Sequence, residues 1–286
     1  MGSVLVTGAS GFIGRALAQS LAQGHNVVCM SRRAPGLELA VVRGAFWSFE
    51  DLRQLDPLRF DAVVHLAAVT GGCSERDGML VNVEGTRCLM RYLIDRGCRK
   101  FVMASSIAAV GMQSTQFRPL QVPVADEHPC LDRDGYGFSK YMMEELTRYY
   151  ARQVPDLDVI ALRLSSVVAD GQTPPPRGVG PLTQWAFGGI TIMVLSDAVR
   201  AFSLAVEAAP RPGVRVMNAC GPRAWVRDPV PDVLRGWYGQ GLELSWYERA
   251  GHAYDSVYDV RRIASELGFV ARVLPNEAHP GSQPEG

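Results

Sequence analysis

Short, wholly apolar runs recur along the chain, each followed by a stretch in which apolar residues return every three or four positions. Val4-Leu5-Val6 is the first run, and Phe12 to Leu21 then carries the helical period until Gly24 stops it. Val27-Val28-Cys29-Met30, Ala40-Val41-Val42, Ala62-Val63-Val64-His65-Leu66, Phe101-Val102-Met103-Ala104 and Val159-Ile160-Ala161-Leu162 are further runs, with helices predicted at about 78–96 and 138–152. Strands without polar alternation are buried on both faces, as in parallel sheets. Their regular alternation with helices predicts an α/β fold, a doubly wound parallel sheet of the Rossmann type.

After Arg163 the pattern changes. Thr173-Pro174-Pro175-Pro176-Arg177-Gly178 can sustain neither helix nor central strand. A helix at about 197–209 is expected to return to the main sheet. From Gly213 onward, a strand (Val214 to Met217), a helix near 230–238, a strand (Leu242-Glu243-Leu244) and a helix (Val260 to Leu267) predict a small C-terminal annex. The expected organisation is a main domain over 1–165 and an annex made of 166–196 and 210–275 that closes a cleft at the sheet's C-terminal edge. A disordered tail is expected over 276–286.

The turn after the first strand, Thr7-Gly8-Ala9-Ser10-Gly11-Phe12-Ile13-Gly14, carries chemistry. Gly8, Gly11 and Gly14 permit a tight turn, close approach of backbone to a phosphate, and close helix–strand packing. The helix opening at Phe12 and Ile13 offers unpaired N–H groups and a partial positive charge to a pyrophosphate. This turn follows a strand and precedes an amphipathic helix, as a dinucleotide site requires. The second strand ends in Ser31-Arg32-Arg33, with no carboxylate to receive a ribose 2′-hydroxyl. Two guanidiniums can clamp a 2′-phosphate there, so NADP is favoured over NAD; the alternative is that they are solvated loop residues.

Downstream, Tyr136-Gly137-Phe138-Ser139-Lys140 puts a phenol and an ammonium on one face of a helix. A tyrosine that moves a substrate proton near neutrality needs its pKa of about 10 lowered by about 3 units, and a neighbouring lysine acts in that direction. Ser105-Ser106, at the end of the strand from Phe101, would orient the substrate oxygen. Arg177, Trp185 and His128 are given no role.

Lys plus Arg and Asp plus Glu number 29 each in 286 residues, so the formal net charge is zero and no nucleic-acid partner is expected. No apolar run approaches the roughly 20 residues of a membrane span. The first strand begins near Ser3, which leaves no room for a signal peptide, and a cytoplasmic location is expected. Cys29, Cys73, Cys88, Cys98, Cys130 and Cys220 lack C-x-x-C spacing, which predicts reduced thiols and no metal site.

Together these stretches resemble the extended short-chain dehydrogenase/reductase family, of the NAD-dependent epimerase/dehydratase type. Asp61 to Ala68 is similar to the family's strand and cofactor-contacting turn, which implies contacts from Leu66, Ala67 and Ala68. Asn82-Val83-Glu84-Gly85-Thr86 resembles its helix motif and implies a cofactor role for Asn82. Phe101 to Gly111 resembles its serine motif, and counting back from Gly111 makes Ser106 the catalytic serine, acting with Tyr136 and Lys140. Lys140 is also implied to bond the nicotinamide ribose.

The chain departs from the family at four places. Ser106 is followed by Ile107-Ala108-Ala109 rather than the acidic pair of sugar-nucleotide dehydratases, which disfavours dehydration. The adenine-binding carboxylate after the third strand is replaced by Ala45-Phe46, leaving Phe46 to hold adenine by packing. Ser166 stands where nucleotide-sugar epimerases carry an asparagine. The stretch from Arg163 to Asp197 is short, and Ile192-Met193-Val194-Leu195 lacks the arginine expected near a diphosphate. The first reading is therefore an NADP(H)-dependent oxidoreductase that interconverts a secondary hydroxyl and a ketone on a small sugar, polyol or related metabolite. The alternatives are a nucleotide-sugar 4-epimerase with tightly bound NAD and a non-catalytic cofactor-sensing protein. By resemblance, a homodimer would pair through the helices near 78–96 and 138–152.

Overall fold

The computed structural model describes residues 2–272 and 274. In chain order the elements are β1 (Ser3–Thr7), α1 (Phe12–Leu21), β2 (Asn26–Ser31), β3 (Ala40–Arg43), α2 (Phe49–Leu52), β4 (Ala62–His65), α3 (Glu75–Asp77), α4 (Gly85–Ile94) and β5 (Lys100–Ser106). There follow α5 (Gly135–Gln153), β6 (Asp158–Leu164), β7 (Ser166–Val168), β8 (Ile192–Val194), α6 (Leu195–Glu207), β9 (Gly213–Ala219), α7 (Val230–Tyr238), α8 (Ser245–Glu248) and α9 (Arg261–Leu267). Seven strands form one parallel sheet in the order β3-β2-β1-β4-β5-β6-β9. The connections reverse direction between β1 and β4, so the chain splays there and leaves a crevice beyond the strands' C-terminal ends.

Both faces of this sheet are covered, which explains the unbroken apolar runs. Val4, Val6, Val27, Cys29, Ala62, Val64, Val102, Ile160 and Leu162 pack on one side with α1, α6 and α9. Their neighbours in sequence, Leu5, Val28, Met30, Val63, Phe101, Met103, Val159 and Ala161, pack on the other with α4 and α5. The period of two sends alternate side chains to opposite faces, and each face meets a helix rather than water. A third cluster, built around Phe187, Val230, Leu234, Tyr247 and Tyr258, includes Ile107 and Val110. These two residues directly follow β5, so this smaller body adjoins the C-terminal edge of the sheet.

Two expectations need correction, and one element is new. Val214 to Met217, expected in the annex, lies in β9 and pairs with β6 in the main sheet. Leu242-Glu243-Leu244 is not a strand: Gly239 and Gly241 turn the chain with φ of 66° and 104°, and Leu244 enters the third cluster without a partner strand. The short parallel pair β7–β8 is an addition, of three residues a strand, too brief for periodicity to reveal. The tail expected over 276–286 lies outside the described residues. Helix α5 starts at Gly135, and Asp134 caps it by accepting a hydrogen bond from the Gly137 N–H at 2.8 Å. Between α3 and α4 the helix widens into π geometry over Gly78–Glu84.

All six cysteines are free thiols, with Cys29, Cys88, Cys98 and Cys220 buried. Among the described residues no group of side chains could hold a metal ion, and no helix is long and apolar enough to cross a membrane.

His65, at the end of β4, joins β1 to α4. The Thr86 hydroxyl donates to the Asn82 carbonyl and so accepts from His65 Nε2–H at 3.0 Å, leaving Nδ1 to accept from the Thr7 hydroxyl at 2.7 Å. Burial pushes the imidazole from 6.5 down to about 3, so it stays neutral in the fold. The unfolded chain takes up this proton below about 6.5 while the folded chain does so only near 3. Stability contributed here is complete above that window and falls as the pH drops through it. Denaturant titrations between pH 6.5 and 4.5 should lose up to about 1.4 kcal/mol per pH unit from this residue, and His65→Gln should flatten that slope.

Candidate active site

The crevice at the switch point is a cleft of about 580 Å³. Fifteen of the sixteen residues expected to serve a site line it: Gly8, Gly11, Phe12, Ile13, Gly14, Ser31, Arg32, Arg33, Phe46, Leu66, Ala67, Ala68, Ser106, Tyr136 and Lys140. Asn82 does not. Its amide oxygen accepts from Val69 N–H at 2.8 Å, and its amide nitrogen donates to the Val69 carbonyl at 3.0 Å and the Ser139 hydroxyl at 2.9 Å. Asn82 thus fastens the loop after β4 to the helix that carries Tyr136.

The glycine turn closes on itself through a bond from Gly11 N–H to the Gly8 carbonyl at 2.9 Å. Gly8 is left-handed at φ 73°, and a Cβ there would sit 2.7 Å from the Ala67 nitrogen. A Cβ on Gly14 would sit 2.2 Å from the Gly8 carbonyl oxygen. Side chains at either position would fill the floor of the cleft, which fits a phosphate cradle. No side chain caps α1 at Gly11, so its first N–H groups are left to a ligand.

At the far end of the same cleft, the Ser31 hydroxyl donates to the Ser10 hydroxyl at 2.8 Å, tying the tip of β2 to the turn. Arg32 and Arg33 are exposed, and neither has a carboxylate partner among the described residues. Trp47, Thr70, Ser165 and Val167 also line the cleft and were missed in the sequence. Trp47 had an audible signal, since a tryptophan directly after Phe46 is a large ring on the expected adenine loop. The other three carry none.

At the catalytic end Ser106 stands beside Tyr136 and favours its phenolate form. Ser106 also accepts from Ala108 N–H at 3.1 Å. Lys140 is buried with its Nζ donating to the Ala104 carbonyl at 2.7 Å and lying 5.8 Å from the centre of the Tyr136 ring. Burial holds Tyr136 up at about 12 and brings Lys140 down to about 8, so near neutrality the phenol stays protonated while the amine keeps its charge by a reduced margin. The lowering of Tyr136 expected from its lysine is thus opposed by desolvation, with the neighbouring Ser106 acting the other way.

Ser105 has a different fate from Ser106. Its hydroxyl donates to Glu144 Oε1 at 2.5 Å, on the side of the sheet facing α5. The same carboxylate takes two bonds from Arg163, Nε at 2.9 Å and Nη2 at 2.7 Å, and Arg163 Nη1 donates to the Asp126 carbonyl at 2.8 Å. Glu144 was not anticipated, because only the fold shows that it faces Arg163.

Of the residues given no role, His128 accepts from Leu120 N–H at 3.1 Å and is structural. Arg177 lies against the turn at Gly189. Trp185 is the one described non-glycine residue with left-handed backbone, at φ 64°. Its ring edge stands where a Cβ on Gly71 would be 2.5 Å away, so it abuts the loop that brings Thr70 into the cleft.

A model of the family described as "NAD dependent epimerase/dehydratase family" matches residues 4–186. A UDP-glucose 4-epimerase 2 of Oryza sativa subsp. japonica is 33% identical over 183 residues, 56% of this chain and 43% of that protein. A UDP-glucose 4-epimerase of Streptomyces lividans is 30% identical over 162 residues, 51% of this chain and 46% of the relative. The matched stretch therefore spans about half the length of these curated relatives. The solved structure of MoeE5 in complex with UDP-glucuronic acid and NAD is 27% identical, with a TM-score of 0.70 over 95% of this chain and 94% of that one. A mutated uronate dehydrogenase shares the fold at 21% identity and a TM-score of 0.68.

The two adjacent serines should separate cleanly on mutation. Ser105→Ala removes a buried bond to a charged group and should lower the unfolding free energy by about 1.5–3 kcal/mol. Ser106→Ala should change it by less than about 1 kcal/mol. Denaturant melts of the two variants check this, and equal losses would contradict the division of labour.

Proposed function

The chain belongs to the NAD dependent epimerase/dehydratase family, and from that premise we propose that it is a redox epimerase of a nucleotide-linked sugar. It inverts one secondary carbinol through the corresponding ketone. The observation that carries this reading is that Ser106, Tyr136 and Lys140 come together in one cleft continuous with the glycine cradle. The curated relatives favour the epimerase over the small-molecule oxidoreductase of the first reading. Within the family, dehydration is disfavoured because Ile107, Ala108 and Ala109 are buried and apolar and offer no second acid and base.

In this mechanism Ser106 holds the carbinol oxygen and Tyr136 removes its proton. Tyr136 returns the proton to the same oxygen after the ketone has presented its other face. A bound nicotinamide would supply the acceptance and return of a hydride at the carbinol carbon and, while oxidised, a positive charge. Lys140 supplies the fixed part of that positive field. Gly8, Gly11 and Gly14 would hold the pyrophosphate, and the N–H groups opening α1 would face it.

The cofactor we propose is the 2′-phosphorylated dinucleotide, NADP(H), held at the ribose by Arg32 and Arg33. Among the described residues neither guanidinium has a carboxylate partner, and no carboxylate at the end of β2 would repel the phosphate. These arginines also favour a second reading, net oxidoreduction of a smaller sugar with an exchanging cofactor, as does the apolar run Ile192 to Leu195 where a diphosphate would need a cation. Leu80, Phe138 and Tyr149 are exposed apolar residues on the two helices expected to face a second copy, which supports a homodimer.

Protein purified and then denatured should release a dinucleotide identifiable by mass, and the native protein should interconvert UDP-glucose and UDP-galactose with no net change in cofactor redox state. A site that exchanges freely and turns over only with stoichiometric consumption of NADPH would replace the epimerase with the oxidoreductase. Tyr136→Phe should lower turnover by about 10²–10⁴-fold while the dissociation constant for the dinucleotide stays within about threefold. Retained activity would overturn the mechanism. Arg32→Ala combined with Arg33→Ala should weaken NADPH about tenfold or more relative to NADH, measured by calorimetry.

A further inference from the structure

The adenosine end of the cleft lacks the carboxylate that resemblance leads one to expect and carries two aromatic rings instead. The loop bearing them is fixed at both ends. Ala45 N–H donates to Asp51 Oδ2 at 2.7 Å, and Ser48 N–H donates to the Ala45 carbonyl at 3.0 Å. Phe46 is buried at 6% exposure, and a Cβ on Gly85 would come within 2.5 Å of its ring. Trp47 meets Phe46 edge to face, 4.9 Å between centroids at 78°, so the wedged phenyl sets the tilt of the indole. The Arg32 guanidinium lies over that indole, 5.1 Å from its centre.

Stacking and ion pairing hold an arginine in different ways. A carboxylate would fix the guanidinium but neutralise it and occupy its donors. An indole face fixes its plane and leaves the full charge and the N–H edge free for an anion. Both Arg32 and Trp47 line the same cleft as the glycine cradle, at the end where the adenosine ribose would lie.

We propose that Trp47 is the positioning residue for cofactor selectivity: it holds Arg32 flat and charged for a ribose 2′-phosphate. Trp47 and Phe46 together replace the missing carboxylate as the adenine end of the site. The proposal rests on the NADP(H) reading given above and names the residue that produces the preference.

The test needs no sugar substrate. Dissociation constants for NADPH and NADH are measured by calorimetry on the full chain, freed of any retained dinucleotide, and on Trp47→Leu, Trp47→Phe and Arg32→Lys treated in the same way. The unsubstituted protein should prefer NADPH by about tenfold or more. Trp47→Leu keeps apolar volume without a π face and should erase about fivefold to tenfold of that preference, through NADPH alone; Trp47→Phe should retain most of it. Arg32→Lys leaves the core untouched and keeps the charge but not the planar stack, so it should lose as much as Trp47→Leu. If the unsubstituted protein does not prefer NADPH, the cofactor reading itself fails. If it does, but Arg32→Lys keeps the full ratio or Trp47→Leu weakens both dinucleotides alike, the stacking role is overturned while the cofactor reading stands.

Discussion

Glu144 and Arg163 form an ion pair sealed from water, with side chains 0% and 4% exposed, and the geometry of the site follows from it. Two charges survive in a low-dielectric interior only where each is matched and fully bonded, and deleting one partner of such a pair typically costs about 3–5 kcal/mol. Here the carboxylate is filled by Arg163 and Ser105, and the last guanidinium nitrogen reaches the Asp126 carbonyl. Ser105 lies opposite Arg163 in the β5–β6 register, so the pair clamps the C-terminal ends of two strands to α5. Ser106 is the next residue along β5. Lys140 and Tyr136 stand one and two helical turns before Glu144, and the position of all three is thereby set from behind.

The catalytic end is consequently a place of opposed forces. Burial favours a neutral phenol and a neutral amine, and the neighbouring Ser106 and the negative charge of Glu144 favour their ionised forms. A site balanced in this manner responds strongly to one added positive charge, which an oxidised nicotinamide carries. The other regions of the cleft are held differently: the glycine floor by the absence of side chains, and the end at Trp47 by the Phe46 ring locked against Gly85. Three kinds of constraint therefore act along one ligand-sized groove.

How much of this was legible in the sequence depended on range. Strands covered on both faces are unbroken apolar runs, and the main sheet could be read from them, as could the glycine turn and the Tyr136–Lys140 spacing, because local periodicity carries each. The strand at Val214 was legible as a strand but not as a member of the main sheet, since pairing with β6 is a contact across more than fifty positions. Leu242 to Leu244 misled because two apolar residues at a spacing of two fit a strand only if an edge is available to pair with. Asn82 was found by motif, yet its three bonds go to Val69 and Ser139, partners that only folding brings near. Glu144 was invisible for the same reason: a buried acid looks like a solvated one until the arginine facing it is known.

The distribution of the free cysteines carries a consequence for experiment. Cys29 sits in the apolar layer under α1 and α6, Cys88 and Cys98 in the layer under α4 and α5, and Cys220 in the third cluster. Burial raises the pKa of each of these thiols, so in the closed molecule they are both shielded and unreactive. An alkylating reagent can reach them only when the surrounding layer opens. The protein thus carries a native set of chemical clocks, at least one in each hydrophobic layer, whose labelling rates report separately on how often the two faces of the sheet and the smaller body come apart.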